Sequence, residues 1–121
     1  MPYTKAIGVD FDGVIHTYGQ GWQGGEIYGE LMPGAAESLR TLMETYAVFI
    51  HTTRDPHTVA PWMAERGFPA EADEDPTRNF WSTQGVLLVT QKKLVAIAFI
   101  DDRAIPFRTW DQAMTEVGKL Y

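Results

Sequence analysis

The stretch AIGVDFDGVIHTY, residues 6–18, frames the reading of the whole chain. Its apolar run ends in Asp10 and Asp12, and Gly13 follows at once. Two ionised carboxylates this close repel unless a cation or a shared proton relieves them. Residues 5–10 read as a buried strand that stops at the first carboxylate. Beyond it, residues 13–33 are glycine-rich and lack a helical period. They read as a long loop or small β-flap, and loops of this length inside a compact domain are often functional.

The same alternation of apolar runs and amphipathic stretches continues outward. A helix is expected over 34–46, because Leu39, Leu42, Met43 and Tyr46 share one face at helical spacing. AVFIHT, residues 47–52, is a second strand. DPHTVAPWMAERG, residues 55–67, reads as a helix capped by Asp55, with Pro56 in its first turn and Gly67 as its stop. Pro61 then demands either a kink or a later start, since it has no N–H to give the helix ladder. Residues 68–82 are polar and turn-rich and receive no element. GVLLVT (85–90) and VAIAFID (95–101) are the third and fourth strands. A last helix starts at Thr109, with Gln112 at the capping-box position and Trp110, Ala113, Met114, Val117 and Tyr121 as its apolar stripe. Short apolar strands separated by helices predict a single α/β domain, a doubly wound, mainly parallel sheet covered on both faces.

Composition bounds the function. A chain of 121 residues is one domain in size, and at 45% hydrophobic it has enough apolar mass for a core. The absence of cysteine excludes disulfides, thiolate catalysis and Cys-ligated zinc. The net charge of −6 runs against a domain built to grip nucleic acid, although a metal inverts charge locally. The first residues, MPYTKAIGV, lack a basic region and long apolar core of a signal peptide. No apolar run approaches the roughly 18 residues of a membrane span. The expected setting is soluble and cytoplasmic.

Right-handed crossovers bring every strand's carboxyl end to one sheet edge, where open α/β sheets bind ligands. Asp10 and Asp12 end the first strand there. Thr52, Thr53 and Arg54 follow the second, and Asp101 and Asp102 end the fourth. Lys93, or its neighbour Lys92, lies just before that fourth strand and within reach of the edge. Carboxylates without His or Cys partners suit Mg²⁺, which also relieves their repulsion. A carboxylate beside such a cation can attack phosphorus, with Thr52 and Lys93 offsetting charge on the transferring oxygens. Arg54 and Arg103 are each placed to meet a second phosphate or to pair with a carboxylate. His16, His51 and His57 lack zinc spacing and read as structural or flap residues. Tyr18, Trp22 and Tyr28 either anchor the flap or offer a stacking surface.

DFDGV, FIHTTR, the lysine before the last core strand and FIDD together resemble the four motifs of the haloacid dehalogenase superfamily, over residues 6 to about 107. Most of its members are Mg²⁺-dependent phosphatases. The resemblance implies Asp10 as nucleophile, Asp12 as general acid and then base, Thr52 as a hydrogen-bond donor to the phosphoryl group and Lys93 as its electrostatic partner. Mg²⁺ is implied on the Asp10 side chain, the Asp12 carbonyl and Asp101, with Asp102 a ligand through water or an orienter. Thr53 and Lys92 remain the competing assignments, and Thr53 and Arg54 are expected at the substrate.

Neither interval between motifs has room for a separate cap domain. Capless relatives act on large phosphoesters or borrow a neighbouring subunit as lid, so a homo-oligomer is one expectation. The flap or residues 68–82 offer another cover. Two other classes compete: a receiver domain, which shares Asp, Thr, Lys and Mg²⁺ but carries its phosphorylated Asp mid-chain, and a degenerate phosphate-binding regulatory domain without turnover.

Overall fold

The computed structural model describes residues 4–101, 105–106 and 109–118, with backbone alone at 101, 105 and 106. In chain order the elements are β1 (Ala6–Asp10), α1 (Ala35–Thr45), β2 (Ala47–His51), α2 (Pro56–Ala64), β3 (Ala70–Ala72), β4 (Leu87–Thr90), β5 (Ala98–Asp101), β6 (Ile105–Pro106) and α3 (Trp110–Gly118). The strands form one sheet in the order β3-β4-β2-β1-β5-β6, and every pairing is parallel. The fold is a single-sheet α/β architecture of Rossmann-like type, as the sequence predicts.

The first crossovers carry the chain from β1 outward through β2 to β3 and β4. The segment 91–97 then crosses back to the other side of β1, where β5 pairs. The strand order therefore reverses at β1, and a crevice opens beyond the carboxyl ends at such a switch point.

Side-chain alternation sorts the sheet's two faces. One face carries Ile7 and Val9 of β1, Val48 and Ile50 of β2, Leu87 and Val89 of β4, and Ala98 and Ile100 of β5. The buried residues of all three helices join it, including Leu39 and Leu42 of α1, Val59 and Met63 of α2, and Trp110 and Val117 of α3. The opposite face carries Ala47, Phe49 and Leu88 and is shielded by Trp81 and Leu94 from irregular segments. Both faces are thus covered, as expected, but among the described residues the helices lie on one face and irregular segments cover the other. Only a few residues separate β4 from β5, and a helical crossover needs at least about 10–12. Phe80, Val95 and Ile97 stay exposed on this thinner side. With Trp81 they line an apolar groove of about 470 Å³.

Gly8 sits at the centre of that face. A Cβ there would lie 2.4 Å from Phe99 Cδ1 and 2.8 Å from Phe49 Cζ, so the two rings close over a residue with no side chain. The rings meet edge to face at 5.7 Å, a favoured aromatic geometry.

Local signals explain the helices. Asp55 caps α2 by accepting the His57 N–H at 2.9 Å, and Pro56 takes the first turn, where its missing N–H costs nothing. The helix does start there and accommodates Pro61 inside it. Thr109 accepts the Gln112 N–H at the start of α3. Tyr121 lies outside the described residues. The segment 68–82 is not all loop: β3 pairs with β4 at the sheet edge. Its sequence, Ala-Glu-Ala, has little β-propensity and is too short to show a period. No helix among the described residues is long and apolar enough to cross a membrane.

Candidate functional site

β1 delivers Asp10 and Asp12 to the centre of the carboxyl edge. Asp10 is half-buried, and one of its oxygens accepts the Phe11 N–H at 3.0 Å, which fixes the carboxylate close to the backbone. The parallel register sets Asp10 beside His51, so Thr52 follows on the adjacent strand. On the other side Val9 pairs with Ile100, and Asp101 ends β5 one position further on. Asp10, Asp12, Thr52 and the Asp101 backbone thus reach one edge on three neighbouring strands. The Asp101 side chain and all of Asp102 lie outside the described residues.

Thr52 and Thr53 differ sharply. Thr52 is buried, and its hydroxyl oxygen accepts the Arg54 N–H at 3.1 Å while its own N–H donates to the Thr90 carbonyl. Thr53 is exposed. The lysines separate as well. Lys92 is drawn to Asp73 at 3.4 Å and to the Asp75 carbonyl, away from β1. Lys93 lies 4.5 Å over the Phe99 ring, on the strand that runs beside β1.

Asp12 is clamped from two sides. Arg54 donates Nε–H to both of its oxygens, at 2.9 and 3.1 Å. His16 Nδ1 lies 2.9 Å from Asp12 Oδ1. The Gly29 N–H donates to His16 Nε2 at 2.9 Å. Nε2 is therefore an acceptor, and the imidazole proton sits on Nδ1, aimed at the carboxylate. Only glycine permits this approach: a Cβ at residue 29 would lie 2.3 Å from the Thr17 carbonyl oxygen. The His16 ring is fully buried, stacked on Phe11 at 5.3 Å and met edge-on by Tyr28.

The flap closes over the same group. Arg54 Nη1 donates to the Gly25 carbonyl at 2.9 Å, and the Trp22 ring lies 4.9 Å from the guanidinium carbon. Arg54 is buried, yet its Nη2 has no hydrogen-bond partner among the described residues. Arg54, expected at the substrate, is thus also the brace of Asp12. Tyr18 and Tyr28 stack on each other at 6.4 Å, and the Tyr28 hydroxyl ties Gln20 to Gly21. They act as flap anchors, whereas Trp22 is 59% exposed.

His16 was not legible as part of the site. It stands four residues after Asp12, and only the tight turn in which residues 14–16 approach the Phe11 carbonyl brings its ring back to the carboxylate. The Arg54–Asp12 pair joins residues 42 apart in sequence, a distance at which no local pattern speaks.

A second polar network occupies the β3–β4 end of the edge. Asp73 accepts from Arg78 Nε at 2.9 Å and from the Thr90 hydroxyl at 2.8 Å, with Lys92 nearby. Burial alone raises an acid's pKa. Here the Arg78 and Thr90 hydrogen bonds, the Asp75 N–H and the Lys92 charge outweigh it and hold Asp73 at about 2, below 3.8. A depressed carboxylate contributes stability above its unfolded pKa and loses it as pH falls through the folded one. The network should therefore lose on the order of 2 kcal/mol between about pH 4 and pH 2. Urea unfolding across that range should be steeper in pH for the wild type than for Asp73→Asn, and equal slopes would exclude the linkage.

Among the described residues, no group of three or more His, Asp or Glu side chains gathers to hold a metal ion. The donors that β1 contributes at the switch point are the Asp10 carboxylate and backbone carbonyls, which suit a hard cation such as Mg²⁺ rather than zinc or copper.

No protein-family model matches the chain, and no curated protein does. A solved structure is similar: that of the conserved protein coded by a locus from Bacteroides thetaiotaomicron. It is 25% identical, with a TM-score of 0.65, over 98% of this chain and 93% of that one. The two share the α/β fold along nearly their whole lengths.

Proposed function

We propose that the protein is a Mg²⁺-dependent phosphomonoesterase that works through an aspartyl-phosphate on Asp10. The observation that carries this reading is the meeting of Asp10, Asp12 and Thr52 at the carboxyl edge, where the strand order turns around β1. Asp10, the Asp12 carbonyl and Asp101 are the groups suited to hold Mg²⁺. When bound, the ion supplies positive charge that offsets the carboxylates and the phosphoryl oxygens.

In the first step an Asp10 oxygen attacks phosphorus. The bond from phosphorus to the leaving oxygen breaks, and Asp12 gives that oxygen its proton. In the second step Asp12 takes a proton from water, the water oxygen attacks phosphorus, and the bond to Asp10 breaks to release inorganic phosphate. Asp12 must face the leaving group in both steps. His16 and Arg54 hold it in one orientation while leaving 22% of its side chain open. Thr52 offers its buried hydroxyl as donor to a phosphoryl oxygen, and Lys93 is the cation that neutralises the transferring group.

The receiver reading fits less well, because a receiver carries its phosphorylated Asp mid-chain and its acidic pair early, whereas here Asp10 ends the first strand and the acidic pair comes at the end of β5. Incubating the protein with a broad panel of phosphomonoesters, with Mg²⁺ or with chelator, tests the assignment. Phosphate release that requires Mg²⁺ is expected for part of the panel. Phosphate binding without release from any member would favour the regulatory domain instead.

A further inference from the structure

We propose that Arg54 is the subsite for a second oxyanion on the substrate's leaving group, so that the enzyme prefers phosphomonoesters bearing a carboxylate or a second phosphate near the ester oxygen. The inference rests on the phosphomonoesterase reading and adds a substrate class to it.

The argument starts from unspent donors. A guanidinium has five N–H groups. Arg54 places Nε–H on Asp12 and one Nη1 N–H on the Gly25 carbonyl, and its buried Nη2 has no partner among the described residues. A buried donor left unmatched destabilises the fold, and more so when it is charged. Bracing Asp12 uses only Nε, so that role does not account for the outer edge of the fork.

Position supplies the second argument. The same guanidinium touches the carboxylate assigned to protonate the leaving oxygen. Its outer nitrogens therefore lie one side chain away from the leaving group. Planar guanidinium edges match carboxylate and phosphate oxygens in geometry as well as charge.

The third argument is that other cations of this edge are already matched. Arg78 and Lys92 both contact Asp73. Arg54 combines a fixed charge with open donors, and what covers it is removable. Tyr18 and Phe11 also flank the guanidinium, at 5.8 and 6.0 Å, but its outer cover is the Gly25 carbonyl and the face of Trp22, a ring 59% exposed on a glycine-rich flap. An entering oxyanion replaces the neutral carbonyl with a charged acceptor and fills the vacant Nη2 position. Charge-assisted hydrogen bonds are roughly twice as strong as neutral ones, so the exchange favours the substrate.

Three esters that share a three-carbon chain test the inference: propyl phosphate, 3-phosphooxypropanoate and propane-1,3-diyl bisphosphate. With Mg²⁺, kcat/KM for at least one anionic ester should exceed that for propyl phosphate by about tenfold or more. Whichever of the two is preferred identifies the oxyanion. Arg54→Gln will slow all three, because Asp12 loses its brace, but the preference should collapse to within about twofold. That ratio is the readout a purely structural arginine would not move. A binding comparison by calorimetry on Asp10→Asn, with Arg54 intact, stands independently of how the Gln variant folds. The preferred anionic ester should bind about tenfold tighter than propyl phosphate. Equal affinities there, or an unchanged ratio in a folded Gln variant, would overturn the subsite while leaving the phosphatase reading in place. Failure to hydrolyse any of the three esters or the broader panel would overturn that reading itself.

Discussion

Asp10→Asn is expected to lower phosphomonoester hydrolysis by about 10³-fold or more while the protein stays folded. The amide keeps the shape of the carboxylate and can still accept the Phe11 N–H, so the end of β1 has no reason to rearrange. What it loses is nucleophilicity toward phosphorus. It also relieves the repulsion with Asp12, so the melting temperature should hold or rise slightly. Circular dichroism and thermal melting establish the fold, and steady-state phosphate release gives the rate. Turnover near the wild-type rate in the folded variant would remove Asp10 from the role of nucleophile.

Asp12→Ala should act differently, because it strands a charge. Arg54 keeps only 2% of its side-chain surface exposed, and Asp12 is the carboxylate that answers it. Removing one member of a buried pair typically costs about 3–5 kcal/mol. Asp12 is itself partly exposed, so a loss near the lower end, about 3 kcal/mol, is expected. That is a large share of the roughly 5–15 kcal/mol that holds a domain together. His16 loses its acceptor at the same time. Asp12→Asn, which keeps an acceptor oxygen, should cost less than Asp12→Ala. The double variant Asp12→Ala/Arg54→Met should regain much of the stability and none of the activity. Urea denaturation of the four proteins measures this. An Asp12→Ala midpoint equal to wild type would mean that the pair is not what keeps the guanidinium buried.

Much of the scaffold was legible because it obeys one rule at a time. β1, β2, β4 and β5 are apolar runs buried on both sides, and their length and composition suffice to find them. Asp55 and Gly67 bracket α2 in the expected way. The arrival of Asp10, Thr52 and the Asp101 backbone at one sheet edge is what the crossover rule predicts. The misses have physical causes. β3 is three residues of Ala and Glu stabilised by its neighbour rather than by its own sequence. β6 is two residues long. The helix-free face was readable in principle, since the short interval between the expected third and fourth strands could never have held a packed helix. The clamp on Asp12 was not readable, because it depends on a turn that folds His16 back and on an arginine from the next motif. Burial of Arg54 beneath a glycine-rich flap is a tertiary fact with no local signature.

The strap that crosses the thin face has a consequence for cooperativity. Residues 91–97 are tied down by the Ile97 N–H on the Ala6 carbonyl, the Val95 N–H on the Asn79 carbonyl and the buried Leu94 side chain. No helix backs them. Segments with few buried contacts open locally at a free energy of their own, below that of global unfolding. Lys93 rides on this strap, whereas Asp10 and Asp12 ride on the central strand. Lys93 and Asp10 therefore sit on segments of unequal packing, and amide exchange is expected to be faster along 91–97 than along β1.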